Sequence, residues 1–146
     1  MFDDLDPEAL YPPLPEPSEL TRFFWEGVAD RRLLILRCEA CGFYVHWPRH
    51  VCPRCLSTSL GPAEVSGQAT LVTWTFPSQP FDPYYQARVP YALAVVELVE
   101  QPGLRMVTDL VDYDKGALRI GLPLRATFRE VAPRVVLPLF APLPGA

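Results

Sequence analysis

Four cysteines constrain the fold of this chain more than any other feature of its sequence. Cys38 and Cys41 form one Cys-x-x-Cys pair, and Cys52 and Cys55 form a second pair after ten intervening residues. Each pair places two sulfur atoms on one tight turn, and two such turns that face each other make a tetrahedral thiolate cage. Zn²⁺ suits this cage because it binds sulfur well and imposes no geometry of its own. We therefore predict a zinc ribbon that uses every cysteine of the chain.

The number of ligands predicts the role of the metal. Four protein thiolates fill a tetrahedral ion and leave no position for water or substrate, so we expect the zinc to be structural. Iron in the same cage and two disulfides are the alternatives.

The first residues show no secretory-signal pattern, so we expect reduced thiols and a cytoplasmic protein. Gly42 follows the first pair but Leu56 follows the second, which predicts a slightly different second turn.

The composition favours short extended segments. The chain of 146 residues contains 18 prolines and only 8 glycines, and it is 49% hydrophobic. Proline stiffens connections and interrupts helices, so this composition argues against long helices. The purely apolar runs, such as residues 91–96, are too short to span a bilayer, and we expect no contact with a membrane.

The distribution of charge argues against nucleic acid as a partner. The net charge is −4, and residues 1–30 carry eight acidic side chains against the single base Arg22. Five arginines lie within residues 31–55, where they could meet a small anionic ligand, but no continuous basic stripe is present. Because neutralised phosphates supply most nucleic-acid affinity, we expect such a chain to bind nucleic acid poorly.

The first 32 residues are predicted to form an arm and a helix. Residues 1–17 are acidic and proline-rich, which is typical of an extended segment without a packed core. Within residues 18–32, Ser18 is positioned to cap a helix that runs from Glu19 to about Ala29 and ends in a turn. The apolar residues of this helix recur at helical spacing, so one face is expected to pack against the rest of the chain.

The ribbon is predicted over residues 33–60. Its strands are expected at residues 33–37, before the first cysteine pair, and at residues 43–47, between the two pairs. His46 and His50 are the two histidines of the chain, and we expect both at the ribbon surface. Pro48 lies between them and disfavours the helix on which histidines at this spacing would share a metal.

Residues 61–146 change to an alternating apolar and polar pattern, which is typical of strands. Gly67 is predicted at a bend in the first strand, in which Val72 and Trp74 lie on the face opposite Leu71. The predicted strands cover residues 65–76, 91–99, 104–111, 124–131 and 135–140, and a long loop covers residues 77–90. Five short strands with one long connection fit a small closed barrel of the OB type, and a β-sandwich is the alternative.

Short motifs stand before, between and after the two cysteine pairs. These motifs are Phe24-Trp25, Leu34–Cys38, Pro48-Arg49, Val65–Thr70, Val89–Tyr91, Ile120–Pro123 and Pro138–Phe140. In their order and spacing, the motifs and both cysteine pairs resemble the DUF35 family, and the resemblance covers residues 18–142. Leu56 is the one clear departure, and it affects only the second cysteine turn. The resemblance implies a mainly β protein: an N-terminal helix, a rubredoxin-like zinc ribbon and a five-stranded OB-fold barrel.

The resemblance also implies a function. Members of the DUF35 family are non-catalytic partners of thiolase-superfamily enzymes, and their shared substrate class is acyl-CoA thioesters. It therefore implies an accessory subunit of a thiolase or retro-aldolase, in lipid or steroid side-chain degradation, that forms a hetero-oligomer and helps to form the acyl-CoA site. We expect no catalysis by the chain alone, because its sequence has no Gly-x-Ser-x-Gly motif and no cysteine outside the two pairs.

The alternatives are a nucleic-acid-binding module, because zinc ribbons and OB barrels serve that role, and a free-standing acyl-CoA carrier or thioesterase.

Aromatic side chains indicate where the chain would bind a partner. The loop at residues 77–90 combines tyrosines with an arginine, and both residue types are enriched in binding hot spots. The short helix is also rich in aromatic residues, more than a small domain usually buries. The candidate partner- or ligand-binding residues are Phe24, Trp25, Phe81, Tyr84, Tyr85, Arg88 and Tyr91.

Overall fold

A computed structural model describes residues 10–146 of the chain. Most of the predicted arm therefore lies outside the described residues. Residues 10–17 form no helix or strand, and Tyr11 and Leu14 are exposed there. The helices and strands are α1 (Arg22–Ala29), β1 (Leu34–Cys38), β2 (Tyr44–Val45), β3 (Leu60–Glu64), β4 (Gln68–Thr75), α2 (Pro83–Gln86), β5 (Ala92–Leu98), β6 (Arg105–Leu110), a 3₁₀ turn (Lys115–Ala117), β7 (Pro123–Ala132) and β8 (Val135–Pro142).

The N-terminal helix starts later than predicted. Residues 19–21 form a turn, because the backbone N–H groups of Thr21 and Arg22 both donate to the carbonyl of Ser18. Thr21 occupies the N-cap position, but its hydroxyl accepts from the backbone N–H of Ser18 and caps no helical N–H. The prediction of a helix from Glu19 capped by Ser18 is therefore wrong, whereas its end at Ala29 is confirmed.

The ribbon is a three-stranded antiparallel sheet in the order β2–β1–β3. Strand β1 was predicted, but β3 was not, because its sequence Leu-Gly-Pro-Ala-Glu has little strand propensity. Pairing with β1 from Leu34↔Glu64 to Cys38↔Leu60 imposes the extended form. Pro62 is tolerated because β3 is an edge strand of this sheet. The second predicted strand is only two residues long.

The remaining strands close into a five-stranded barrel in the order β4–β5–β6–β8–β7, with β7 paired back to β4. This arrangement confirms the OB-type barrel and excludes the β-sandwich. The first barrel strand starts at Gln68 and not at Val65, since Gly67 bends the chain as predicted. Gly67 has φ of +78°, and a Cβ there would lie 3.1 Å from the Cβ of Ala126.

A β-bulge changes the faces of β4. The register against β5 shifts between Leu71 and Thr73, so Val72 is an extra residue in this strand. Leu71 is buried, and Trp74 also packs against the core. Placing Leu71 and Trp74 on opposite faces was therefore wrong, because the bulge shifts the alternation by one residue.

Helix, ribbon and barrel share one hydrophobic core. Phe24 and Val28 of α1 are buried together with Ile35 of β1 against barrel residues such as Leu71 and Phe140. The side chain of Gln101 also attaches the ribbon to the barrel, because it accepts from the N–H of Tyr44 and donates to its carbonyl. In the part of the chain that the structure describes, neither helix has the length and apolar character needed to cross a membrane.

Candidate metal site and aromatic groove

Two hairpin turns present the four cysteines. In the first turn, the N–H of Gly42 donates to the carbonyl of Cys38 at 2.8 Å, and the N–H of Cys38 donates to the carbonyl of Phe43 at 2.8 Å. The second turn repeats this pattern, because Leu56 donates to Cys52 at 3.0 Å and Cys52 donates to Ser57 at 2.9 Å. The two turns therefore place their sulfur atoms in the same way.

Leu56 does not change the second turn. Its φ of 64° is close to the φ of 76° at Gly42, so both residues adopt the left-handed conformation. The prediction of a different second turn is wrong, because the leucine accepts a conformation that costs about 1–2 kcal/mol for residues other than glycine. Its side chain is 74% exposed, so little packing opposes this conformation.

The sulfur atoms fit a four-coordinate metal ion. The Sγ atoms of Cys38 and Cys55 lie 3.6 Å apart, those of Cys41 and Cys52 lie 3.7 Å apart, and all four lie within 4.8 Å of one another. Metal–sulfur bonds of about 2.3 Å in a tetrahedron require edges of about 3.8 Å. The four cysteines are thus positioned to bind a metal ion with no further ligand.

The surroundings favour thiolate at one corner of the cage. The backbone N–H of Cys41 donates to the Cys38 sulfur and lowers the pKa of this thiol to about 6. Cys38 and Cys52 are buried, whereas Cys41 and Cys55 are exposed, so one side of the cage faces solvent. A metal bound there would hold the two turns together at the surface of the ribbon.

The two histidines differ in their surroundings. His50 is exposed as predicted, but His46 is half-buried, and its Nε2 atom is shielded from solvent without a hydrogen-bond partner. The His46 ring stacks on Trp47 at 4.5 Å between centroids and lies 6.0 Å from the Phe24 ring. Placing His46 at the ribbon surface was wrong, because α1 covers it. Burial lowers the pKa of His46 to about 4.

The loop at residues 77–90 is more ordered than predicted. It contains the short helix α2, whose first turn is capped by Asp82 through a 2.9 Å bond from the N–H of Tyr84. Gln86 donates from its side-chain amide to the carbonyls of Pro80 and Phe81, which closes the loop on itself. These contacts fix the backbone around Phe81, whose side chain is 97% exposed.

The tyrosines of this loop pack on one another. Arg88 lies over the Tyr84 ring at 3.7 Å and donates to the Tyr84 carbonyl at 3.0 Å. The ring of Tyr85 contacts those of Tyr84 and Tyr91, at 5.1 and 4.9 Å between centroids. The structure therefore brings Tyr84, Tyr85, Arg88 and Tyr91 together, whereas Phe81 is almost fully exposed to solvent.

A groove of about 250 Å³, here called the aromatic groove, lies beside this loop. Three predicted site residues line the groove. Trp25 and Tyr85 form part of its walls, and Phe24 reaches it from the core with only 5% of its surface exposed. Sequence reasoning missed the other lining residues because they come from strands and from the ribbon. These are Trp47, Leu93, Met106, Val107, Thr108, Asp109, Leu137, Pro138 and Leu139.

Asp109 is the one ionisable carboxyl group that lines the aromatic groove. Burial raises the pKa of Asp109, and the neighbouring hydroxyl of Tyr85 partly opposes this shift. Burial, with the carboxylate of Asp109 nearby, also raises the pKa of Tyr85. The groove thus combines aromatic walls with the partly desolvated carboxylate of Asp109 as an acceptor. In the sequence, only the alternating pattern of β6 points to this residue.

This fold and this cysteine cage define a class of protein, a zinc ribbon of the rubredoxin type joined to an OB-fold barrel. Residues 25–61 match the family model of the ChsH2 rubredoxin-like zinc ribbon domain, and residues 63–129 match that of the ChsH2 C-terminal OB-fold domain. The chain belongs to the DUF35 family, as its sequence motifs predicted.

Two relatives of similar sequence are named as hydratase alpha subunits. The chain is 35% identical over 136 residues to the probable enoyl-CoA hydratase alpha subunit of Thermomonospora curvata. It is 36% identical over 126 residues to the 3-oxo-4,17-pregnadiene-20-carboxyl-CoA hydratase alpha subunit of Mycobacterium tuberculosis. These alignments cover 93% and 86% of this chain but 41% and 38% of the relatives, so it spans about two fifths of their length.

A solved structure is similar over almost its whole length. The chain superposes on a chain of the Ltp2-ChsH2(DUF35) aldolase with a TM-score of 0.79 and 34% sequence identity. The match covers 88% of this chain and 98% of that chain.

Proposed function

We propose that the chain is an accessory subunit of a thiolase-superfamily enzyme, a thiolase or a retro-aldolase, that acts on acyl-CoA thioesters. The observation that carries this proposal is the match to 98% of a chain of the Ltp2-ChsH2(DUF35) aldolase. The hydratase relatives, whose names include an enoyl-CoA and a pregnadiene carboxyl-CoA, support acyl-CoA as the substrate class and steroid or lipid side-chain degradation as the setting. The subunit stabilises its partner and helps to form the acyl-CoA site.

We propose that the bound metal is Zn²⁺, held by Cys38, Cys41, Cys52 and Cys55. The sulfur spacing of 3.6 and 3.7 Å fits the tetrahedral zinc–thiolate site, and a four-thiolate set gives the ion a structural role. Elemental analysis of protein purified without added metal tests this. One zinc per chain is the expected result, and a visible iron–thiolate absorption with iron in place of zinc would contradict it.

The partner surface that we propose consists of the loop and the adjoining groove. Phe24, Trp25, Tyr84, Tyr85, Arg88 and Tyr91 shape this region, and Phe81 stands out from it. Because Asp82 and Gln86 already fix the loop, docking costs little conformational entropy. An aromatic side chain on a rigid loop is the kind of residue that carries binding energy when it enters a pocket of a partner.

Co-expression with thiolase-superfamily enzymes from the same source tests the assignment. A shared peak on a sizing column, and enzyme activity that depends on this chain, are the expected results. Phe81→Ser should weaken the complex roughly tenfold or more, as hot-spot truncations do. Ile120→Ser removes another exposed apolar side chain outside the loop and serves as the matched control. Separate peaks with unchanged enzyme activity for every such enzyme would refute the proposal.

Nucleic acid is the weaker candidate. The aromatic groove could stack bases, but its one ionisable carboxyl group, Asp109, repels phosphate when ionised. Micromolar binding of single-stranded DNA near physiological salt would revive this alternative.

A further inference from the structure

The aromatic groove contains a carboxylate that no ion pair balances. Asp109 lies on the outer face of β6, and its side chain lines the groove. Arg105, in the same strand, is paired with Glu97 at 3.1 Å. Neither this ion pair nor the other one found within residues 10–146 involves Asp109. Burial raises the pKa of Asp109, because the carboxylate has lost water contacts without gaining a positive charge beside it. A cation in the groove would compensate for that loss.

Two tryptophans add aromatic surface to the same groove. Trp25 and Trp47 both line it. The ring of Trp47 stacks on His46 at 4.5 Å between centroids, yet 61% of Trp47 is exposed, so its opposite ring face is open. Faces of aromatic rings carry partial negative charge and attract cations, most strongly in tryptophan. The aromatic walls and the carboxylate therefore favour the same kind of ligand, a positively charged one.

The apolar residues and the size of the groove favour a side chain as the ligand. Leu93 and Val107 line the groove and are 37% and 60% exposed, so apolar surface is left uncovered there. Long basic side chains pack their methylene groups on such surface while the charged end makes polar contacts. The groove of about 250 Å³ is smaller than the roughly 300–1,000 Å³ of typical small-molecule sites. It therefore suits one protruding side chain better than an acyl-CoA or a steroid.

Arginine matches these features better than lysine does. Its planar guanidinium group stacks on aromatic rings, donates two parallel hydrogen bonds to one carboxylate and is more weakly hydrated than an ammonium group. The carboxylate of Asp109 has capacity for both bonds, because the neighbouring hydroxyl of Tyr85 can donate only one hydrogen bond to its several acceptor sites. The groove therefore selects for the shape of the ligand as well as for its charge.

We infer that the aromatic groove is a receptor site for one arginine side chain of the partner enzyme, which packs against Trp25 and Trp47 and places its guanidinium group on Asp109. This inference rests on the proposed function and deepens it, because it names the residue type with which the partner enters the surface assigned above. Arginine and tryptophan are both enriched in binding hot spots, and a charge pair shielded from water is stronger than an exposed one.

A titration of the full chain tests the receptor site without any partner enzyme. The probes are N-acetyl-arginine amide and its citrulline analogue, which has nearly the same shape without the positive charge. In ¹⁵N–¹H spectra, millimolar arginine probe should shift the indole N–H signals of Trp25 and Trp47, whereas that of Trp74, which does not line the groove, should stay unchanged. The citrulline probe should bind about tenfold more weakly. Absence of the indole shifts, or equal affinity for the two probes, would overturn the inference.

Substitutions separate the carboxylate from the aromatic walls. Asp109→Asn should reduce the affinity for the arginine probe to that for the citrulline probe, and Trp47→Leu should weaken binding severalfold. Glu97→Gln is the matched control, because it removes a carboxylate that is paired with Arg105 outside the groove, and it should leave binding unchanged. Undiminished binding of the arginine probe to folded Asp109→Asn would overturn the inference.

The complex with the partner enzyme distinguishes this inference from the proposed function. Asp109→Asn should weaken a complex with a co-eluting enzyme about tenfold, and Glu97→Gln should not. A complex of unchanged strength with Asp109→Asn would overturn the inference and leave the proposed function standing. If no thiolase-superfamily enzyme binds, the proposed function is refuted, whereas binding of the arginine probe still supports the receptor site. Self-association of the chain that Asp109→Asn abolishes would place the arginine on a second copy and overturn the assignment to the partner.

Discussion

The buried position of His46 predicts a specific loss of stability in acid. Its Nε2 atom has no hydrogen-bond partner and no solvent contact, and its ring stacks on Trp47 and lies 6.0 Å from the tilted ring of Phe24. Protonation would place a charge among aromatic rings, and burial accordingly lowers the pKa of His46 to about 4. The folded chain therefore keeps this imidazole neutral at pH values where the unfolded chain protonates it.

The sign and the size of the effect follow from these two pKa values. An unfolded histidine titrates near its ordinary value of 6.5, so below this pH the unfolded state binds a proton that the folded state refuses. The free energy of unfolding then decreases as the pH falls from 6.5 to about 4, and this group adds no further loss below that. The displacement of the pKa of His46 corresponds to a loss of about 3 kcal/mol.

Urea unfolding of the wild type and of His46→Phe, at neutral pH and in steps towards the folded-state pKa, measures this loss. Phenylalanine keeps the stacked ring and removes the proton site, so the wild type should lose stability relative to the variant as the pH falls. Comparison at equal pH cancels effects common to both proteins, including protonation of the cysteine thiolates. A difference in stability that does not vary with pH, or an imidazole that titrates near 6.5 by NMR, would refute the reasoning.

Three further predictions concern the ribbon. Cys52→Ser, or chelation of the metal, should lower the free energy of unfolding by several kcal/mol, because metal binding is folding energy in such modules; an unchanged melt after verified metal loss would contradict this. Gln101→Ala should cost about 1–2 kcal/mol, because the Gln101 amide accepts from the N–H of Tyr44 at 2.8 Å and donates to its carbonyl at 3.1 Å. Gln101→Glu retains the acceptor alone and should recover part of that loss; equal stability of all three proteins in urea would contradict the bridge. Leu56→Asn should raise the melting temperature slightly, since asparagine tolerates φ of 64° better than leucine does, and Leu56→Val should lower it.

Local signals in the sequence predicted most of the elements correctly. The spacing of Cys38, Cys41, Cys52 and Cys55 was sufficient for the cage, because each pair lies within one turn whose hydrogen bonds are internal. Alternation of apolar residues located the barrel strands, and Gly67 marked the bend that precedes β4. These features depend on neighbours within a few residues, so the chain reveals them without its fold.

Long-range pairing decided the rest. Strand β3 exists because β1 imposes extended structure on a segment of poor propensity, and the edge of β2 is completed by the distant side chain of Gln101. The bulge at Val72 depends on the register against β5. The aromatic groove joins α1, the ribbon, the loop and the three barrel strands β5, β6 and β8. The sequence by itself therefore determined the cage and the strands, whereas only the tertiary structure decided which side chains meet in the groove, because packing brings them together independently of chain order.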